Sequence, residues 1–262
     1  MILYCKIALF VLLFFQNNNH NLIKNVDIQS DYIQSDHLQN LYVVNNQTLF
    51  KYSKTGEKLA EYSNNYYGDI DIVDPVDPLR ILLYYKEFNQ LLFLDNKLTE
   101  LRSFVSLDDL DVDNSGAVCS SKNGGFWVFD ETSQSAKYYN DNLEKQQETS
   151  NVRFVTDSLL HIVFMKEKDG LLYLQDKSQG LFLFDIYGAY IARVPEVSVG
   201  SFQVKQGKII YFDREKVFSY SRTRLQNESM VDDLFTNALN VRMEGDVLFI
   251  QYPQKIGIYT QN

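Results

Sequence analysis

The chain has 262 residues, of which 45% are apolar and 23% are charged, and this is the composition of a folded globular protein and not of a disordered one. Its net charge of −9 would repel the backbone of nucleic acids and anionic lipid headgroups, so no nucleic-acid partner is expected. Tyr and Phe, with 18 residues each, fit half-buried strands and favour an all-β fold.

Residues 1–16 are predicted to be a signal peptide. Lys6 is the only charged residue there, and an apolar run over residues 7–15 ends abruptly at Gln16. This run is far shorter than the roughly 20 residues that a membrane-spanning helix needs. The sequence therefore predicts export to the periplasm or cell surface, without direct membrane insertion after the signal is removed. The start of a buried strand or helix is the alternative for this run.

Residues 22–262 are predicted to form a single domain, in which Cys119 is the only thiol. No intramolecular disulfide can then form, even in an oxidising compartment. Cys119 lies in a short segment that is typical of a strand, and no His is near it in the sequence. We therefore expect a buried, inert thiol in preference to a nucleophile.

A short pattern recurs along the chain: an apolar and aromatic strand ends in a small polar or acidic residue and is followed by a tight turn. The six copies occupy residues 49–53, 91–95, 136–140, 181–185, 217–221 and 256–260. Their ends are about 36 to 45 residues apart, which is the length of a four-stranded propeller blade.

Each copy has neighbouring strands at short distances. A second apolar strand precedes the copies at residues 41–44, 81–85, 126–129, 171–174, 209–212 and 247–250. Turn signals such as Asn123-Gly124-Gly125 and Asp169-Gly170 precede most of these strands and permit the positive φ angles of tight hairpins. A further, more polar strand follows the first five copies, best seen at residues 58–62 and 190–194.

No such strand follows the sixth copy, so we expect an N-terminal strand around residues 23–29 to complete the last blade and close the ring. The predicted fold class is all-β, a six-bladed β-propeller whose last blade is closed by this N-terminal strand. An open β-sandwich or a β-solenoid is the alternative architecture.

The repeat resembles that of NHL and TolB-type six-bladed propellers. The resemblance lies in residues 183–188, where two apolar or aromatic residues are followed by Asp and, three residues later, by Gly. Residues 51–56 are a weaker copy. Leu98, Leu143 and Arg224 stand where the Gly of this repeat would be. The resemblance implies a binding scaffold in most cases, and in others a lactonase or cyclase with a metal in the central channel.

The histidines of the chain share no motif, so a His-rich zinc site is not expected. They are His20, His37 and His161. His161 lies in an apolar run at residues 159–164, and we expect it to be a core or channel-lining residue.

Two acidic stretches could bear a metal site. In the first, residues 69–74, Asp69 and Asp71 alternate with apolar residues, which would place their carboxylates on one strand face, and Asp74 ends the stretch. A second cluster comprises Asp108, Asp109, Asp111 and Asp113. The metal hypothesis is that Asp71 and Asp111 face the channel and bind calcium, which prefers oxygen ligands. The favoured interpretation is that these acids are solvated strand ends and turn residues.

Exposed aromatic residues are expected at a rim, at residues 65–68 and at Tyr138 and Tyr139, although most rings should pack between blades. No catalytic residue and no cofactor is predicted. The predicted function is that of a non-enzymatic, exported scaffold that binds another envelope protein or a membrane complex of a bacterial cell envelope. Outer-membrane assembly or secretion is the setting suggested by analogy. The alternative is a calcium-dependent lactonase or hydrolase with its site in the channel.

Overall fold

The protein folds into six four-stranded antiparallel sheets arranged in a ring, a six-bladed β-propeller, as predicted. The computed structural model describes residues 20–195, 197 and 200–261, so the predicted signal peptide lies outside the described residues. Within these ranges no helix is long and apolar enough to cross a membrane.

The strands follow one order in each blade, from the channel outwards. The innermost strands are β2 (Tyr32–Ser35), β6 (Ile72–Asp74), β10 (Ser115–Ser120), β14 (Ile162–Lys168), β18 (Phe202–Lys205) and β22 (Asn240–Glu244). The second strands are β3 (Leu41–Asn45), β7 (Ile81–Tyr85), β11 (Phe126–Asp130), β15 (Leu171–Asp176), β19 (Lys208–Phe212) and β23 (Val247–Gln251).

The third strands are β4 (Thr48–Tyr52), β8 (Gln90–Leu94), β12 (Ser135–Tyr139), β16 (Gly180–Asp185), β20 (Val217–Ser221) and β24 (Ile256–Gln261). The outermost strands are β5 (Lys58–Ser63), β9 (Val105–Ser106), β13 (Lys145–Glu148), β17 (Tyr190–Val194), β21 (Gln226–Met230) and β1 (His20–Val26). Three short 3-10 helices, Asp108–Leu110, Val152–Phe154 and Asp233–Phe235, lie in connections between blades.

The hydrophobic core lies between neighbouring blades. The second and third strands are covered by other sheets on both faces, which is why they read as continuous apolar runs. All five residues of β7 are buried, for example, and Leu83 of blade two packs in one cluster with Tyr42 and Leu49 of blade one. Cys119 is fully buried in the core between blades three and four, and burial raises its pKa, so the prediction of a buried thiol is confirmed.

The recurring small polar or acidic residue after each third strand has a local role. The Asp95 carboxylate accepts hydrogen bonds from the backbone amides of Lys97 and Thr99, at 2.8 Å each, and Asp185 accepts equivalent bonds in blade four. The side chain thus satisfies the amides of the tight turn that follows. The repeat seen in the sequence is therefore the signature of this turn.

The turn between the third and outermost strands requires one residue with positive φ. Gly188 supplies it in blade four with φ 91°, whereas Leu98 and Leu143 adopt φ of 61° and 65° in blades two and three. In blade five the residue is Leu225, with φ 51°, and not Arg224 as the sequence alignment of the copies predicted. Four residues separate β20 and β21, and the left-handed position is the last of them.

An N-terminal strand closes the ring, as predicted. Strand β1 pairs antiparallel with β24, from His20 opposite Gln261 to Val26 opposite Ile256. It begins three residues earlier than the predicted strand at residues 23–29 and ends at Val26, because Val26 is opposite the first residue of its partner strand. The last blade thus combines the first described strand with the last three.

Candidate functional site

The inner strands surround a central channel that opens at both ends. We call the face at which the inner strands begin the upper face, and the opposite face the lower face. A cavity of about 570 Å³ lies at the upper mouth, and one of about 270 Å³ lies at the lower mouth. Blades one, two, four, five and six line both cavities, whereas all residues of β10 in blade three are buried. The channel is therefore a concave region with charged, polar and apolar residues in its lining.

Arg242 lies between the two mouths and lines both cavities, although only 2% of its surface is exposed. Its guanidinium donates hydrogen bonds to the Phe202 carbonyl at 3.1 Å and to Ser201 Oγ at 3.2 Å. Burial lowers the pKa of Arg242 from 12.5 to about 10, and the charge of Glu244 opposes this effect. Its Nε–H has no hydrogen-bond partner, and no described carboxylate forms an ion pair with it.

Glu244 at the lower mouth is occupied by other donors. Lys205 Nζ is 2.6 Å from one carboxylate oxygen, and Gln203 Nε2 and Ser35 Oγ donate to the other at 2.9 Å each. These contacts join blades one, five and six around the channel. Glu244 consequently stabilises the wall of the channel and does not neutralise Arg242 by direct pairing.

Lys166 faces the channel from blade four, opposite this cluster. Its ammonium is 3.9 Å from Asp74 Oδ1, and Asp74 Oδ2 accepts a hydrogen bond from the Ser120 backbone amide at 2.8 Å. Burial lowers the pKa of Lys166, the charge of Asp74 opposes this, and the charge of Arg242 lowers it further. Arg242 and Lys166 thus both face the channel, and of the two only Lys166 has a described carboxylate within 4 Å.

The upper mouth carries three carboxylates that also serve in turns. Asp71 lines the upper cavity and accepts a hydrogen bond from the Lys86 backbone amide at 2.7 Å. Burial raises the pKa of Asp71, while that hydrogen bond and the Lys86 charge oppose the effect. Asp31 and Asp213 line the same cavity, and each accepts hydrogen bonds from backbone amides of a turn.

The structure does not bring the two candidate calcium ligands to one pocket. Asp71 is at the upper mouth, whereas Asp111 follows the 3-10 helix Asp108–Leu110 in the connection between blades two and three, with φ 56°. The strand expected over residues 69–74 is correct only for Ile72–Asp74. Over residues 20–195, 197 and 200–261, no group of three or more His, Cys, Asp or Glu side chains has an arrangement that could hold a metal.

The histidines occupy three separate places. His161 precedes β14 with 67% of its side chain exposed, so the prediction of a core residue was wrong. Its neighbours Leu160 and Ile162 are buried, and the side chain between them lies on the other side of the chain. His37 lines the lower mouth, and His20 of β1 is 3.2 Å from the Asp232 carboxylate.

Of the rim tyrosines suggested by the sequence, Tyr66 is 86% exposed on the upper face. Its neighbour Tyr67 stacks on Phe104 with ring centroids 3.8 Å apart. Tyr138 packs against Trp127, and Tyr139 is buried. Most of these rings therefore contribute to packing between elements, as expected, and one is free to contact a partner.

The sequence reasoning missed Arg242 and Lys166, which are the most unusual channel residues. Both lie on innermost strands and belong to blades six and four. The available signal was a long cationic side chain inside a segment with strand character. It was weak, because such a residue is ordinary on a solvated strand face.

The six sheets and their charged channel define a six-bladed β-propeller. No family model and no curated protein sequence matches the chain. Among solved structures, it is similar to virginiamycin B lyase from Staphylococcus aureus with quinupristin, at 10% identity over 93% of this chain and 100% of that chain, with a TM-score of 0.66. It is also similar to the WD40 domain of Neurospora crassa Pan2, at 7% identity over 92% of this chain and 95% of that chain, with a TM-score of 0.59.

A chain of the mitotic checkpoint complex is similar as well, at 10% identity over 99% of this chain and 98% of that chain, with a TM-score of 0.57. At these identities the similarity shows the fold alone. The fold is compatible with an enzyme, as in the lyase, and with a scaffold, as in WD40 domains. The choice between these classes consequently depends on the surface and the channel of this chain.

Proposed function

We propose that the protein is a non-enzymatic binding scaffold whose upper face receives another protein. Large apolar side chains are exposed on both faces, and the observation that carries this proposal is that those on upper-face connections surround the acidic upper mouth. Tyr66 is 86% exposed, Phe154 is 84% exposed and Val231 is 68% exposed. They belong to the connections between blades one and two, three and four, and five and six. Apolar and aromatic residues held around one face are typical of protein interaction sites.

The charge of the upper mouth indicates what the partner carries. Asp31, Asp71 and Asp213 line the cavity that these connections surround. Arg214 and Arg242 line it as well, so its net formal charge is minus one. Electrostatic complementarity then favours a docking segment in which Lys or Arg stands beside apolar residues. The partner class that we propose is an envelope protein or membrane complex with such a basic, apolar segment.

The proposed location is the periplasm or the surface of a bacterial envelope. It rests on the predicted signal peptide at residues 1–16 and on the resemblance of the repeat to NHL and TolB-type propellers. Assembly of the outer membrane or secretion is the setting proposed by analogy. Cell fractionation, with N-terminal sequencing of the mature chain, tests the location separately from the binding role.

The binding role is tested by affinity purification of the tagged protein from its native envelope in mild detergent, followed by mass spectrometry. We expect one partner in stoichiometric amount, lost in the double variant Y66S/F154S. The matched control is Y187S/L225S, because Tyr187 and Leu225 are 75% and 76% exposed on the lower face. Equal retention by both variants would refute the assignment of the upper face, and recovery of a partner-free chain would refute the scaffold.

A calcium-dependent lactonase or hydrolase is the second candidate, and the position of Asp71 at the upper mouth is the observation that favours it. The assay is turnover of lactone and ester substrates with calcium and with EDTA. Calcium-dependent turnover that is lost in D71N would replace the scaffold proposal. A melting temperature that calcium raises and EDTA lowers would support a bound ion.

A further inference from the structure

We infer that the lower part of the channel is a binding site for a small dianion, either a phosphate monoester or a dicarboxylate, held by Arg242, Lys166 and Lys168. This site is separate from the upper face that we propose for a protein partner. Three observations support it: the positive lining of the lower cavity, the Arg242 N–H group without a hydrogen-bond partner, and the two lysines on one side of strand β14.

The lower cavity has a positive lining in an acidic protein. Four cationic side chains line it against two carboxylates, and Asp74 lies 3.9 Å from Lys166. With Asp74 counted the net formal charge is plus one, whereas the chain as a whole carries −9. The cations are Lys166, Lys168, Lys205 and Arg242, and the carboxylates are Asp36 and Glu244. The Asp36 carboxylate accepts hydrogen bonds from the backbone amides of Leu38 and Asn40, and also from the Asn40 side-chain amide and the Tyr42 hydroxyl. It is therefore directed into its own turn.

Arg242 supplies the donor that lacks an acceptor. Two of its N–H groups are bonded to the Phe202 carbonyl and to Ser201 Oγ, and the buried Nε–H has no partner. A guanidinium has five N–H donors in a planar fork, which matches two oxygens of a carboxylate or phosphate. A buried donor of this kind needs an acceptor, and an anion that draws the Arg242 side chain towards the channel would provide one.

Strand β14 places two lysines on the same side. Lys166 and Lys168 are two residues apart, so their side chains leave the strand in the same direction, and both line the lower cavity. Lys166 is largely buried and Lys168 is exposed, which puts one cation inside and one at the entrance. Burial is the main cause of the lowered pKa of Lys166, and the charge of Arg242 adds to it against the opposing charge of Asp74. An anion between Lys166 and Arg242 would relieve the repulsion of these two cations.

The size of the cavity limits the ligand to a small molecule. Its volume is about 270 Å³, less than half that of the upper cavity. Inorganic phosphate or a four-carbon dicarboxylate fits this volume, whereas a nucleotide would have to extend out of the mouth. Both ligand types present anionic oxygens to the same cations.

The test is calorimetric titration of the intact chain with inorganic phosphate and, separately, with succinate, at an ionic strength held constant with NaCl. We expect saturable binding of one molecule per chain for at least one of the two probes. Binding of phosphate alone assigns phosphate esters, and binding of succinate alone assigns dicarboxylates. If neither probe produces heat beyond the NaCl control, the inference is wrong.

Variants locate the site. R242K keeps the charge but loses the fork, and we expect it to weaken binding about tenfold, the effect of losing one hydrogen bond to a charged group. K168Q, at the exposed entrance, should weaken binding severalfold without affecting folding. K97Q is the matched control, since Lys97 is exposed on the lower face outside the cavity. Should R242K fail to fold, K168Q decides, and unchanged affinity in K168Q would overturn the inference.

Discussion

Alkaline pH should destabilise this propeller through its buried tyrosines. Tyr42, Tyr84, Tyr85 and Tyr139 are each no more than 4% exposed. Burial raises the pKa of Tyr84 and Tyr139 to about 12, and it raises the pKa of Tyr42 and Tyr85 further. In the unfolded chain each would ionise near pH 10. The stability that these groups contribute is therefore complete below pH 10 and is lost as the pH rises towards 12.

The size of the effect follows from linkage. A tyrosine with a pKa of about 12 in the folded protein and about 10 in the unfolded chain costs about 1.4 kcal/mol at about pH 11. Four such residues remove about 5 to 6 kcal/mol. Arg242, whose pKa is lowered to about 10, titrates in the opposite sense and restores about 1.4 kcal/mol. The net loss of about 4 kcal/mol is a large part of the roughly 5 to 15 kcal/mol that stabilises a typical domain.

The assay is a pH titration that follows tyrosinate absorbance and circular dichroism in parallel. We expect part of the absorbance change to coincide with loss of structure above about pH 10. The variant Y84F/Y139F should lose about half as much stability, and Y66F/Y187F, at two exposed tyrosines, controls for the loss of two chromophores. Complete tyrosine ionisation in one step near pH 10, with the folded spectrum retained, would refute the reasoning.

Three further outcomes are expected. The variant G125A should lose about 3 to 5 kcal/mol of stability in urea unfolding, because its Cβ would lie 1.9 Å from the Tyr139 carbonyl oxygen. The control G207A, whose Cβ meets nothing within 4 Å, should lose only about 1 kcal/mol. Equal losses in the two variants would contradict the steric explanation. L225G should gain about 1 kcal/mol, since Leu225 holds φ 51° with 76% of its surface exposed, and a loss of stability would show that its side chain matters. Deletion of residues 22–30 should lower the melting temperature of the whole domain, and unchanged melting would contradict closure by β1.

The fold was predictable where both faces of a strand are covered. The second strand of blade two was predicted at residues 81–85 and is observed at Ile81–Tyr85, because every side chain there is buried and the segment reads as one apolar run. The inner strands Tyr32–Ser35 and Phe202–Lys205 were not predicted. They have four residues each and contain both apolar and polar side chains, so neither length nor hydropathy distinguishes them from loops.

The channel residues were less predictable because the ring assembles them. Lys166 and Arg242 are far apart in the sequence, on blades four and six, and line one cavity only after the blades are arranged around the axis. No spacing motif can describe such a pair. Asp71 was identified because the alternation of Asp with apolar residues is a local pattern in the sequence. Asp111 belongs to a second acidic stretch of similar composition, but that stretch forms a turn.

Closure by β1 has a consequence for the order of folding. The residues that pair between β1 and β24 are 230 or more positions apart, as Val26 and Ile256 are. Contacts this distant in sequence form slowly, because the chain loses loop entropy before the contacts stabilise it. Five blades can acquire their hairpins early, while the sixth waits for both ends of the domain. Until then blades one and six expose unpaired flanks, and this stage is the one most vulnerable to aggregation and proteolysis.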